Sequence, residues 1–297
     1  MSEVQRVIAT LHAIGERPVG APQRISGGWG GTGIWRFESA TRGPALLRVF
    51  APDETGVAAR ETAVMVHARA LGLPVPEVYA ARKIGEAPVM VLEWYPGGSL
   101  DRVMRRRPWQ SAVLGSEAGW LMARLHGAPA PSGLALARDW PHPTAFPPAL
   151  RERLRADDVR ADALVHLDFH PLNLVLGSDG ELALIDWTNA RAGDPRFDLA
   201  RSLVLFALLP GLSPLQRALA RLLFGPFARA WRAAYLEAVE PPRDMPLFLA
   251  WAGYGVLREW HFNRQRAGLD PNVEGGWEPR LRTLVDGWMR KAGLDAG

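Results

Sequence analysis

The sequence has no cysteine among its 297 residues. That excludes disulfides, thiolate metal sites and a cysteine nucleophile, and it suits a cytoplasmic protein. Long apolar runs are also missing. The longest, Ser202 to Leu209, ends at Pro210-Gly211 and is too short to span a bilayer, so no membrane partner is expected. Residues 1–20 lack a continuous apolar core. Val4, Val7, Ile8, Leu11 and Ile14 fall there at helical spacing, which reads as an amphipathic helix and not as a signal peptide. A concentrated basic surface is missing too. The net charge of +4 comes from scattered arginines, and the single tight basic run, Arg105-Arg106-Arg107, stops at Pro108. None of the usual nucleic-acid motifs accompanies it, so no nucleic-acid partner is expected.

What the chain does have is enough apolar residue, 48%, to bury a core in one large domain or two lobes. Residues 23–50 read as β-structure. Arg24-Ile25-Ser26 leads into a glycine cluster, and Ile34-Trp35-Arg36-Phe37, the turn Thr41-Arg42-Gly43-Pro44 and Ala45 to Phe50 follow. Residues 54–71 have helical period, with Gly72 as a stop. Strands are predicted over Val78 to Ile84 and Pro88 to Glu93. Trp94 to Gly98 then forms a punctuated linker. Before it the pattern is mostly strand; after it the pattern is mostly helix. The expected division is therefore 1–93 as an N-terminal lobe, 94–98 as a hinge and 99–297 as a helical C-terminal lobe. In the latter, a helix near 109–127 and a proline-rich loop over 128–148 precede short strands at Ala163–Val165, Asn173–Leu176 and Leu182–Ile185. Helices are predicted at about 197–209, 213–238, 244–264 and 277–292.

The densest chemistry lies in His166-Leu167-Asp168-Phe169-His170-Pro171-Leu172-Asn173, with Asp186 downstream. Phosphoryl transfer needs a positioned hydroxyl, metal ions on the phosphates and charge stabilisation. A carboxylate must orient the acceptor hydroxyl, and oxygen ligands must hold hard Mg²⁺. Asp168, Asn173 and Asp186 are the right types. A turn at Gly180 is expected to bring Asp186 back beside Asn173. Aspartates in such a loop can also serve as turn formers; their joint spacing favours the chemical reading.

The spacing H-x-D-x-x-x-x-N, followed by an apolar residue and Asp, resembles a kinase catalytic loop and its metal-binding aspartate. Together with Ile185-Asp186-Trp187 and Gly193-Asp194-Pro195-Arg196-Phe197-Asp198-Leu199-Ala200, it resembles the aminoglycoside phosphotransferase/choline kinase family over about residues 20–265. The resemblance implies an α+β, two-lobed protein-kinase-like fold, with a small β-rich N-terminal lobe and a larger, mainly helical C-terminal lobe. It implies ATP (or another NTP) and Mg²⁺ as cofactors and transfer of the γ-phosphoryl group to a hydroxyl of a small molecule. Asp168 is then the base, Asn173 and Asp186 the Mg²⁺ ligands, and His166 and Asp198 braces of the loop, Asp198 by accepting backbone hydrogen bonds. His170 is common at its place in the family. Leu167 and Leu172 stand where small residues, often glycine, are frequent there. A nucleotide-binding pseudokinase is the alternative, and a protein kinase a weaker one. Only seven residues separate Asp186 from Asp194, too few for a long activation segment.

On the nucleotide side, Gly28, Gly30 and Gly33 satisfy G-x-G-x-x-G. The strands predicted after it suit a glycine hairpin over phosphates better than a dinucleotide fold. In a kinase-like lobe the cation of the third strand is Arg48, and the helix glutamate that matches it is Glu61, a pair able to hold the α- and β-phosphates. Val91-Leu92-Glu93-Trp94 resembles the hinge that binds adenine through backbone groups, so Glu93 and Trp94 complete the nucleotide set. On the acceptor side, Trp231, Tyr235, Trp251, Tyr254, Trp260, His261 and Phe262 supply aromatic surface or core, and Glu237, Glu240, Glu259 and Asp270 are possible contacts. Residues 201–297 hold 13 Arg and Lys against 9 Asp and Glu, which argues against a strongly acidic pocket.

Overall fold

The computed structural model describes residues 2–25, 33–142, 146–156, 158–208, 213–266, 268–270 and 277–294. In chain order the elements are α1 (Glu3–Ile14), β1 (Pro18–Arg24), β2 (Gly33–Ser39), β3 (Gly43–Val49), α2 (Thr55–Ala70), β4 (Val78–Ile84), β5 (Ala87–Glu93), β6 (Gly98–Ser99), α3 (Leu100–Arg106), α4 (Ser111–Gly127), α5 (Pro148–Arg153), β7 (Ala163–Val165), β8 (Leu174–Leu176), β9 (Leu182–Leu184), β10 (Arg191–Gly193), α6 (Pro195–Leu208), α7 (Pro214–Ala238), α8 (Met245–Arg266) and α9 (Glu278–Lys291). The chain divides into two units, Met1–Gly97 with Leu176–Thr188, and Gly98–Val175 with Asn189–Gly297. No helix of the described residues is long and apolar enough to cross a membrane.

The first unit is built on a five-stranded antiparallel sheet in the order β1-β2-β3-β5-β4. Alternation along β2 turns Trp35 and Phe37 to one face, and β3 contributes Ala45 and Leu47 to the same core. Val7, Leu11 and Ile14 of α1, spaced along one helix face, cover it. Each large apolar side chain so buried contributes roughly 2 kcal/mol. Helix α1 begins at a capping box, in which Ser2 Oγ accepts from the Gln5 amide and the Gln5 side chain accepts from the Ser2 amide, so two orphan donors are satisfied. It ends at Gly15, with φ 95°, a conformation that glycine adopts without Cβ strain.

The segment Leu176–Thr188, read from sequence as part of the C-terminal lobe, belongs to this first unit. The Gly97 amide donates to Leu176 O (3.0 Å), and the Leu184 amide of β9 donates to Pro74 O (2.9 Å). A three-residue strand carries no pattern that names its partner, and here the partners lie far back in the chain.

In the second unit, α4 and α7 run side by side with glycines at the contact. A Cβ on Gly115 would meet Phe227 O at 2.4 Å, and one on Gly119 would meet Trp231 O at 2.4 Å. Only glycine lets the two backbones approach so closely. Helices α6, α8 and α9 enclose the main core, where Phe197 packs edge-on against Trp251 (4.7 Å between centroids) and Phe248 (4.9 Å). Strands β7 and β10 pair antiparallel through Val165 and Arg191, Leu164 and Ala192, and Ala163 and Gly193. They bracket the segment that begins with His166 to Asn173.

Candidate active site

In the second unit, β7 delivers His166 to Asn173 as an irregular loop. Its second residue, Leu167, has φ 61°, a left-handed backbone that bulky residues rarely adopt. The surroundings hold it there. Asp198, fully buried near the start of α6, accepts the His166 amide at 2.7 Å and the Leu167 amide at 3.0 Å. Asp198 Oδ2 also lies 3.3 Å from His126 Nε2, and His126 Nδ1 lies 2.8 Å from the Tyr235 hydroxyl. The Leu167 side chain is buried in the same helical core cluster as Val165 and Phe197, so the position is filled by packing where glycine alone would relieve the backbone strain. Leu172, by contrast, is 57% exposed.

Asp168 follows, its amide donating to His166 Nδ1 (3.2 Å). Both carboxylate oxygens are oriented. Oδ2 accepts from Asn173 Nδ2 at 3.0 Å, and Oδ1 lies 3.3 Å from His170 Nε2 and 3.7 Å from Arg201 Nη2. Burial pushes this carboxyl up, but His170, Arg201 and His166 outweigh burial and hold it well below the usual carboxylate range. Asn173 Nδ2 also donates to Asp168 O (2.9 Å). With its nitrogen engaged twice by Asp168, the amide oxygen of Asn173 is the atom left to act as a ligand.

In the first unit a second polar cluster forms. Arg48 on β3 and Glu61 on α2 pair at 2.6 Å, with Glu61 1% exposed. Arg48 Nη1 also lies 3.6 Å from Asp186 Oδ1. Thr188 joins them, its hydroxyl 2.7 Å from Asp186 Oδ1 and 3.1 Å from Glu61 Oε2, and it accepts from Arg48 Nη2 at 3.3 Å. Arg60 Nη2 donates to Thr188 O at 3.0 Å. Burial pushes the Glu61 carboxyl up to about 7; Arg48 offsets part of this and Asp186 adds to it. Asp186 has φ 63°, which aspartate tolerates better than most residues, and its side chain is 44% exposed. Among the described residues no group of three or more His, Cys, Asp or Glu is arranged to hold a metal ion. Each unit by itself offers an oxygen of the kind hard Mg²⁺ takes, the Asn173 amide oxygen in the second and the Asp186 carboxylate in the first.

The other expected site residues fare differently. Gly28 and Gly30 lie outside the described residues. Gly33 opens β2 opposite Val49. The Glu93 amide donates to Glu77 O (2.9 Å), and its carboxylate accepts the Glu77 amide (3.0 Å). Trp94 lies under Arg36, 5.6 Å from the ring centroid. Of the acceptor-side aromatics, Trp231 and Trp251 are fully buried core, and Phe262 is exposed. Glu259 is paired with Arg201 at 2.5 Å, while Glu237, Glu240 and Asp270 are exposed. Thr188, Arg60, His126 and Arg201 escaped the sequence reading. Thr188 stood two residues past Asp186; the others had no local signal.

A search of the curated proteins returns no match. Among solved structures, an aminoglycoside-3'-phosphotransferase of type VIII aligns with a TM-score of 0.57 and 19% identity, covering 87% of this chain and 99% of the other. A macrolide 2'-phosphotransferase from Brachybacterium faecium aligns at 0.56 and 18%, covering 96% and 98%. A choline kinase from Streptococcus pneumoniae aligns at 0.53 and 13%, covering 97% and 98%. These likenesses give the fold: protein-kinase-like, mixed α and β. The profile of the phosphotransferase enzyme family matches residues 22–247, and the chain belongs to that family.

Proposed function

We propose that this phosphotransferase moves the γ-phosphoryl group of ATP, or of another nucleoside triphosphate, as its Mg²⁺ complex to a hydroxyl of a small molecule. The observation that carries the reading is Asp168. It is a carboxylate kept ionised, with one oxygen on Asn173 and the other facing His170 and Arg201, as a group that accepts a hydroxyl proton must be. By the family resemblance, Asn173 and Asp186 would be the Mg²⁺ ligands, and the ion would offset the phosphate charge that develops during transfer. Arg48, braced by Glu61, contacts the α- and β-phosphates. By the family resemblance, Gly28, Gly30 and Gly33 would bind the phosphates, and Glu93 and Trp94 would bind the base. His166 and Asp198 hold the loop. The surplus of Arg and Lys over Asp and Glu in residues 201–297 favours an acceptor of low positive charge over a polycationic aminoglycoside. The absence of cysteine suits work in the cytoplasm.

The test is thermal shift with ATP and Mg²⁺, with and without EDTA, followed by turnover against macrolides, aminoglycosides, amino alcohols and sugars. ATP·Mg²⁺ is expected to raise Tm and EDTA to remove most of the rise. Asp168→Asn is expected to lower turnover on the order of 1,000-fold, to a measurable residual rate, and keep the shift. No shift with ATP·Mg²⁺ sinks the reading; turnover undiminished in Asp168→Asn removes Asp168 from the chemistry.

A further inference from the structure

Arg201 sits nearly two turns into α6 with its side chain 2% exposed. A buried guanidinium needs several partners to stay charged, and it has them. Nε donates to Leu167 O, the carbonyl of the left-handed residue just before Asp168. Nη2 donates to Glu259 Oε2 on α8 at 2.5 Å and lies 3.7 Å from Asp168 Oδ1. The guanidinium lies over the Trp140 ring, 4.3 Å from its centroid. The neighbouring Ser202 hydroxyl donates to Phe169 O at 2.9 Å, so consecutive residues of α6 grip the backbone on both sides of Asp168.

We propose that Arg201 is a positioning residue for Asp168: Glu259 and Trp140 hold its guanidinium rigid, and the guanidinium in turn fixes the carbonyl before Asp168 and faces the carboxylate oxygen that Asn173 does not hold. The inference rests on the phosphotransferase reading. Glu259 is by this account part of the catalytic support and not a contact for the acceptor. A long-range ion pair is what the geometry demands here. The loop backbone is in a left-handed conformation that relaxes unless tethered, and a displacement of about 1 Å at a reacting group can cost on the order of 100-fold in rate.

The experiment is a double-mutant cycle on Mg²⁺-dependent ATP turnover, with water as acceptor. Arg201→Met keeps the aliphatic stem on Trp140 and removes the charge. It is expected to lower kcat roughly 100-fold while the KM for ATP stays within about twofold. Arg201→Lys, which keeps a charge, is expected to recover about tenfold of the loss. In an Asp168→Asn background Arg201→Met is expected to add less than about a twofold loss, because its effect passes through Asp168. An equal loss in both backgrounds, or a loss carried wholly by KM, overturns the proposal. Should Arg201→Met not fold, Glu259→Gln runs the same cycle: a smaller kcat loss, about tenfold, that vanishes in Asp168→Asn supports it, and a loss that persists there overturns it. Wild-type protein that binds ATP·Mg²⁺ and turns nothing over instead defeats the phosphotransferase reading, and this inference with it.

Discussion

Arg48 Nη1 lies 2.6 Å from Glu61 Oε1, yet the pair leaves the Glu61 carboxyl harder to ionise than a free one. Burial is the larger effect and takes it from 4.5 to about 7, against the pull of Arg48. The folded-state value is raised above the unfolded one. The neutral acid therefore contributes stability that is fully present below about pH 4.5 and is lost as pH rises through about 7, up to about 3 kcal/mol in all. Glu61→Gln removes this dependence. Tm measured from pH 4.5 to 8 without nucleotide is expected to fall less steeply in the variant; identical slopes would exclude Glu61 as the titrating group.

Asp198 accepts two consecutive loop amides and faces His126 with 0% exposure. Asp198→Ala leaves buried donors without an acceptor and is expected to cost on the order of 3–5 kcal/mol. Asp198→Asn offers little relief, because its amide nitrogen would confront an N–H group. Urea unfolding should place both variants within about 1 kcal/mol of each other. An asparagine variant as stable as wild type contradicts this account.

Leu167 combines a fully buried side chain with φ 61°. At an ordinary core site alanine outranks glycine. Here glycine relieves about 1 kcal/mol of left-handed strain that alanine retains. Leu167→Gly is therefore expected to match Leu167→Ala or exceed it by up to about 1 kcal/mol in chemical denaturation. Alanine more stable by that margin would show that the strain is not real.

Two glycines of α4 provide a contrast. Gly119→Ala drives a Cβ to 2.4 Å from Trp231 O, a backbone atom that cannot step aside, and is expected to destabilise by about 2–3 kcal/mol. Gly127→Ala meets nothing within 4 Å and is expected to gain a few tenths of a kcal/mol up to about 1. Thermal denaturation of the two variants checks the close approach of α4 to α7.

Much of this was legible in the sequence because the signals are periodic and local. The helix predicted over 213–238 is found at Pro214–Ala238, and the strand predicted over Val78 to Ile84 has those bounds. Strand β1 was missed because Val19 is the single β-former in Pro18-Val19-Gly20-Ala21-Pro22, set among two prolines and a glycine, and most of the strand is exposed. Helix α3 was missed because seven residues after a glycine pair hold too few turns to show a face. The site divides the same way. Asp168, Asn173 and Asp186 announce themselves by spacing within one motif. Arg201 pairs with Glu259, 58 residues away, and lies over Trp140, and nothing in Asp198-Leu199-Ala200-Arg201 shows that its arginine is buried. Sequence periodicity reports which face is apolar; it does not report which charge finds which partner across a core.

Because residues 176–188 complete the first unit, that unit is discontinuous along the gene product. A fragment ending at Gly97 would lack β9, the acceptor of the Gly97 amide on Leu176, and the Asp186 and Thr188 groups that meet Arg48 and Glu61. The cluster of Arg48, Glu61, Asp186 and Thr188 can therefore be neither expressed as an N-terminal piece nor exchanged by swapping one contiguous block. A recombination that preserves it must carry two segments from the same parent.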